Sequence, residues 1–128
     1  MSRLAKRHGD LDVYKAAFTL GMEIFRLSKG FPKVEDYALT DQVRRSSRAV
    51  AVNVAEGWRK RRYPRSFRST LTNAEAEAAE TQSWLQFATE CEYLDREVAR
   101  DLYRRYDRVI AQLVTMIRKA SDYAIKDA

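Results

Sequence analysis

Leu102, Tyr106, Val109, Leu113, Met116, Ala120 and Tyr123 recur at alternating spacings of four and three. That heptad rhythm fits a helix with one buried seam and no strand of period two. The rest of the chain allows the same reading. Glycine and proline together number six in 128 residues and fall mostly between periodic stretches, and no alternating apolar–polar run is long enough for a strand. The chain is therefore predicted to be all-α.

The spacing predicts three more helices. The first is expected from about Asp12 to Lys29, with Val13, Ala17, Leu20, Ile24 and Leu27 as its seam, ended by Gly30, Phe31 and Pro32. A second stripe of Tyr14, Phe18, Gly21 and Phe25 makes its apolar face broader than one neighbouring helix needs. The second helix is expected from Thr40, as N-cap, to about Trp58, with Val43, Ser47, Val50 and Val54 inward. Val52 then points away from that seam, flanked by Ala51 and Ala55, so this helix is apolar nearly all round. The third should open near Pro64 and run through Phe67, Leu71, Ala74, Ala78, Thr81, Leu85 and Ala88 to about Glu92; Asp95 is a fitting N-cap for the fourth.

Four helices with short connections predict an antiparallel up-and-down four-helix bundle. Residues 1–128 should form one such domain, with residues 1–10 flexible, and 45% hydrophobic residues suffice for one core. The surplus apolar surface at Phe25 and Val52 predicts self-association. A single cysteine, Cys91, excludes an internal disulfide, and a cytoplasmic location without membrane contact is expected, since no apolar stretch resembles a signal or a span.

Charge is distributed unevenly. Residues 44–68 hold nine basic side chains (Arg44, Arg45, Arg48, Arg59, Lys60, Arg61, Arg62, Arg65 and Arg68) against Glu56 alone, while the rest of the chain holds 15 basic and 17 acidic residues. Arginines interleaved with Trp58, Tyr63 and Phe67 suit a nucleic acid, because guanidinium groups neutralise phosphates and rings stack on bases. The plainer reading is a solvated turn whose charge maintains solubility, with Trp58 and Phe67 closing the bundle end. An excess unopposed across 25 residues favours binding.

Asn53, Glu56 and Gly57 put polar and small groups on a nearly apolar helix. They are read as structural: Asn53 fixing register, Glu56 pairing with Lys60 or with an arginine elsewhere, Gly57 permitting close packing or ending the helix. Arg96, Arg100 and Arg104 would stack on one face of the fourth helix and repel one another unless an anion sits there; Glu75, Glu77, Glu80, Glu90 and Glu92 of the third are the simplest counter-charges, within or between subunits, with a partner's acidic surface as the alternative. Enzymatic chemistry finds little footing. His8 is the only histidine, Cys91 has no histidine nearby, and no glycine-rich loop follows a strand, so no catalytic residue, metal or cofactor is expected.

Several stretches together resemble a known family. Tyr37-Ala-Leu39-Thr40-Asp-Gln42-Val-Arg44-Arg45, then Asn53-Val-Ala55-Glu56-Gly57, Phe67, and later Trp84-Leu85 with Ala88 and Tyr93-Leu94, are similar to the four-helix-bundle proteins encoded in intervening sequences of bacterial 23S rRNA genes. The likeness spans about residues 11–123. It departs at Thr81 and Gln82, where many relatives carry leucine and a second glutamate, and at Glu92, where glycine is typical. The resemblance implies a homopentameric ring. Through a distant relative, the accessory variability protein of diversity-generating retroelements, it implies a reverse transcriptase or other nucleic-acid-handling partner. The resulting expectation is a non-enzymatic, self-associating basic bundle that binds RNA or DNA. The alternative is a protein-interaction scaffold that never touches nucleic acid.

Overall fold

The computed structural model describes residues 5–124. Four long helices, α1 (Asp12–Ser28), α2 (Leu39–Arg59), α3 (Pro64–Glu90) and α4 (Arg96–Arg118), precede one further turn, α5 (Ala120–Tyr123). Short 3-10 turns lie at His8–Asp10 and Lys33–Glu35, and no strand occurs among the described residues. Each long helix packs on the next, and α1 closes against α4, giving an antiparallel up-and-down bundle. Of the segment expected to be flexible, residues 1–4 lie outside the described residues. The remainder folds back on the bundle: the His8 ring meets the edge of Tyr14 at 4.8 Å, and the Lys6 carbonyl accepts from Trp58 Nε1 at 3.4 Å.

The predicted seams are the core. Val13, Ala17, Leu20 and Ile24 of α1, Val43, Val50 and Val54 of α2, and Leu102, Tyr106, Val109 and Leu113 of α4 are all buried. α2 and α3 approach closely because small residues line their contact. Ala74 and Ala78 are fully buried, and a Cβ on Gly57 would lie 3.0 Å from Leu71 Cδ2. Gly57 thus serves close packing and does not end α2, which continues to Arg59. Thr81 and Gln82, the two α3 positions where the family likeness weakens, carry polar links. Thr81 Oγ1 lies 2.8 Å from Ser46 Oγ on α2, and Gln82 Nε2 donates to the Tyr103 carbonyl and to Asp107 on α4.

Three helix boundaries differ from expectation. α2 begins at Leu39, not with Thr40 as its cap; Thr40 Oγ1 is buried without a hydrogen-bond partner. The 3-10 turn instead carries Glu35 back over the helix end. Its Oε1 accepts from the Leu39 amide at 3.2 Å and its Oε2 from the Tyr93 hydroxyl at 3.0 Å. One carboxylate therefore caps α2 and ties the α1–α2 connection to the α3–α4 connection, and donation to Glu35 raises the Tyr93 phenol above its ordinary pKa of 10.0. α4 breaks at Lys119, although Ala120 and Tyr123 keep their seam positions; the Tyr123 ring lies 5.7 Å from that of Phe67. Asp95 caps α4 as predicted, accepting from the amides of Glu97 and Val98 at 3.1 Å.

The third difference is at the end of α3. The Tyr93 amide reaches back to the Ala88 carbonyl at 2.9 Å and the Glu92 amide to Thr89 at 3.0 Å, the paired bonds of a Schellman motif, which leaves Glu92 left-handed at φ 63°. A side chain with a Cβ is strained there. Glu92→Gly is expected to raise the unfolding free energy by about 1 kcal/mol, read as a higher urea midpoint at unchanged slope; a lower midpoint would mean that the strain is absent.

Candidate nucleic-acid interface

α2 hands over to α3 through residues 60–63, closed by the Tyr63 amide donating to the Lys60 carbonyl at 2.8 Å, and Pro64 occupies the first turn of α3, where its missing N–H costs nothing. The chain reverses within four residues, so the cations at the end of α2 and the start of α3 gather at one end of the bundle. Arg59, Lys60, Arg62, Arg65 and Arg68 are exposed there. Lys60 does not pair with Glu56 but reaches Thr70 Oγ1 at 3.5 Å.

Arg61 has a different role from its neighbours. Its guanidinium lies 4.0 Å from the centroid of the Trp58 ring, and its Nη1 donates at 2.7 Å to the Trp58 carbonyl in the last turn of α2, which the Arg61 amide reaches only at 3.4 Å. Burial, and secondarily the charge on Arg59, lowers its pKa below the ordinary arginine value. Arg61 is thus a helix cap stacked on a tryptophan, which the basic run in the sequence conceals. Arg61→Ala is expected to lower stability by about 1 kcal/mol, whereas Arg65→Ala, which removes an exposed side chain, should stay within about 0.5 kcal/mol; equal melting temperatures for the two variants would contradict this.

The aromatic residues divide in a similar way. Trp58 and Phe67 are 5% and 0% exposed and close the bundle end against Tyr123, so neither is open to a base, while Tyr63 is 62% exposed. Stacking at this turn therefore falls to Tyr63 alone of the three.

The α2 arginines line the bundle's flank. Arg45 turns toward α3, where it meets Glu77 at 3.3 Å and, more closely, Glu80; hydrogen bonds to Glu77 and then Glu80 raise its pKa. Arg44 and Arg48 turn toward α1. Their guanidinium carbons lie 5.0 and 5.6 Å from the centroid of the Phe25 ring, with Lys29 Nζ at 4.8 Å, and Arg44 Nε donates to Ser28 Oγ at 2.7 Å. Among the described residues, Arg45 alone of Arg44, Arg45, Arg48, Arg59, Arg61, Arg65 and Arg68 meets a carboxylate. A shallow pocket of about 470 Å³ lies among Asp36, Asp41, Arg44, Arg45 and Arg48.

Asn53 does not bridge helices within the chain. Its Nδ2 donates to the Ala49 carbonyl one turn earlier in α2, at 2.9 Å. Glu56 is exposed without an ion-pair partner among the described residues. The surplus apolar surface is exposed at Val52, as predicted, but shifts from Phe25 to its neighbours on α1. Phe25 is partly covered by the three cations, and Ala51 is buried, whereas Phe18 and Val52 are each 53% exposed and Met22 37%. Phe18, Met22 and Val52 mark the outer flank of α1 and α2.

No helix is long and apolar enough to cross a membrane, and no group of three or more His, Cys, Asp or Glu among the described residues is placed to hold a metal ion. The family model of the 23S rRNA-intervening sequence protein matches residues 9–115. A solved structure, a protein of unknown function from the S23 ribosomal protein family of Bacteroides thetaiotaomicron, is 21% identical with a TM-score of 0.74, over 83% of this chain and 95% of that one. At that identity the likeness speaks for the fold. No curated protein matches the chain.

Proposed function

The chain belongs to the 23S rRNA-intervening sequence protein family, and from that premise we propose that it is a non-enzymatic, self-associating bundle that binds nucleic acid through the basic turn between α2 and α3. The observation that carries this reading is the cluster of Arg59, Arg65 and Arg68, exposed and without carboxylate partners among the described residues, beside exposed Lys60 and Tyr63 at one end of the bundle. Unpaired guanidinium groups held together repel one another, and a phosphate backbone relieves that repulsion while releasing its own counterions. An anisotropy titration with labelled RNA and DNA across a salt series tests it. Affinity should fall steeply as salt rises, and absence of binding at low salt would remove the proposal.

Self-association is proposed through the flank bearing Phe18, Met22 and Val52, with the homopentamer implied by the family resemblance as its form. These residues expose apolar surface on two adjacent helices, which a second copy would cover. Light scattering reads the mass directly, and a monomer at micromolar concentration would end this part of the proposal. The same flank supports a protein-interaction scaffold, which predicts an assembled protein whose mass is unaffected by RNA and whose salt series shows no binding.

A further inference from the structure

Arg96, Arg100 and Arg104 lie on one stripe of α4, about 6 Å apart along the helix axis at 1.5 Å per residue. All three line a single solvent-open groove of about 550 Å³ between α3 and α4. For the isolated chain the placement is unfavourable. Like charges four residues apart repel, and Arg96 is the first residue of α4, where the helix dipole disfavours a cation. Internal compensation is thin. Arg96 reaches Glu90 at 3.6 Å with the two side chains 63% and 74% exposed, Arg100 reaches Glu97 at 3.0 Å with 50% and 77% exposed, and Arg104 has no carboxylate partner among the described residues. Arg105 shows the contrast: Glu23 on α1 and Asp101 hold it, and it is only 26% exposed.

The remaining groove groups suit a polymer carrying phosphates and bases. Gln86 offers hydrogen bonds from α3, and the partly buried Tyr103 lies on the same wall as the arginines. Asp107 is the one carboxylate lining the groove, and the buried Gln82 amide donates to it at 2.8 Å. The Tyr103 ring favours a single strand over a duplex, because only unpaired bases are free to stack on it. The groove is open, which suits a chain passing through more than an enclosed small molecule.

We propose that the α3–α4 groove binds the phosphodiester backbone of single-stranded nucleic acid, with Arg96, Arg100 and Arg104 on successive phosphates. It forms a second contact, separate from the basic turn, at the other end of α4 from Tyr123 and Phe67, and it rests on the reading above that the ligand is nucleic acid. Guanidinium groups take phosphate oxygens in forked pairs, and a base can stack on the Tyr103 ring.

The test is anisotropy with a short labelled single strand, as RNA and as DNA, and with the matching duplex. The proteins are the full chain, the triple variant Arg96→Ser, Arg100→Ser, Arg104→Ser, the single variant Arg104→Ser, and a charge-matched control, Lys15→Ser, Arg26→Ser, Arg118→Ser. The triple variant should weaken single-strand binding about tenfold or more and lower the salt slope by about 0.7 per lost contact, with duplex binding and helicity unchanged. Arg104→Ser, which breaks no internal pair, should weaken it severalfold and guards against misfolding of the triple variant. The control should stay within about twofold of the full chain if position and not net charge matters. Loss in the triple variant no greater than in the control overturns the proposal, as does polyglutamate competing as well as the single strand. If substitutions in the basic turn abolish binding and those in the groove do not, the turn stands and the groove falls; no binding by the full chain removes both.

Discussion

Phe67→Ala is expected to lower the unfolding free energy by about 3–5 kcal/mol, a large part of the 5–15 kcal/mol that holds a domain of this size together. Phe67 is 0% exposed in the first turn of α3, with the Tyr123 ring 5.7 Å away and that ring in turn 6.2 Å from the Trp58 ring. Truncation leaves a cavity between rigid rings that cannot collapse into it. It also removes one of the contacts that hold α5, whose Tyr123 ring packs on Phe67 and Trp58. Phe87, on the same helix, is 59% exposed and supplies the control: Phe87→Ala should move stability by about 0.5 kcal/mol or less. Urea midpoints for the two variants, compared at equal protein concentration because association adds to apparent stability, decide the matter. A Phe67→Ala midpoint as close to the parent as that of Phe87→Ala would mean that the rings do not hold this end.

The seams were legible because burial on one helix face imposes a spacing that needs no knowledge of the neighbours, and Val13, Ala17, Leu20 and Ile24 are buried where that spacing put them. What depended on a partner far along the chain was not legible. Thr40 has the chemistry of a cap, but Glu35 takes that role because the Lys33–Glu35 turn returns its carboxylate to the Leu39 amide, and a preference for capping residues carries no information about a preceding turn. Asn53 reads as a buried register group yet bonds its own helix at Ala49, the choice any short amide has when its neighbours are one turn away. Among the basic residues, charge alone could not separate Arg45, drawn to Glu77 and Glu80 across the α2–α3 contact, or Arg61, laid on Trp58, from the exposed Arg59 and Arg65. The Trp58-to-Arg61 spacing at a helix end was the one local hint. Just beyond α3, Glu92 stands where the family resemblance makes glycine typical, and its left-handed backbone supplies the reason for that preference.

That separation decides how the basic turn should be probed. The variant Arg59→Ser, Lys60→Ser, Arg65→Ser, Arg68→Ser retains the Arg61 cap and is expected to lose affinity for nucleic acid by about tenfold or more at low salt, with the slope of log affinity against log salt falling by about 0.7–0.9 for each phosphate contact removed. Each of the four side chains is exposed, and the one hydrogen bond seen for Lys60, to Thr70, is long at 3.5 Å, so helicity and the urea midpoint should hold. Arg61→Ser makes the reciprocal case. It leaves the other cations of the turn in place but opens the end of α2, so stability should fall while the salt slope changes by about one contact at most. If the turn binds phosphate, the two variants separate cleanly, one losing affinity at constant stability and the other losing stability at nearly constant salt slope. A fourfold-substituted turn with an unchanged salt slope would mean that the counterions are released elsewhere, and the basic excess of residues 44–68 would then be a solvated rim.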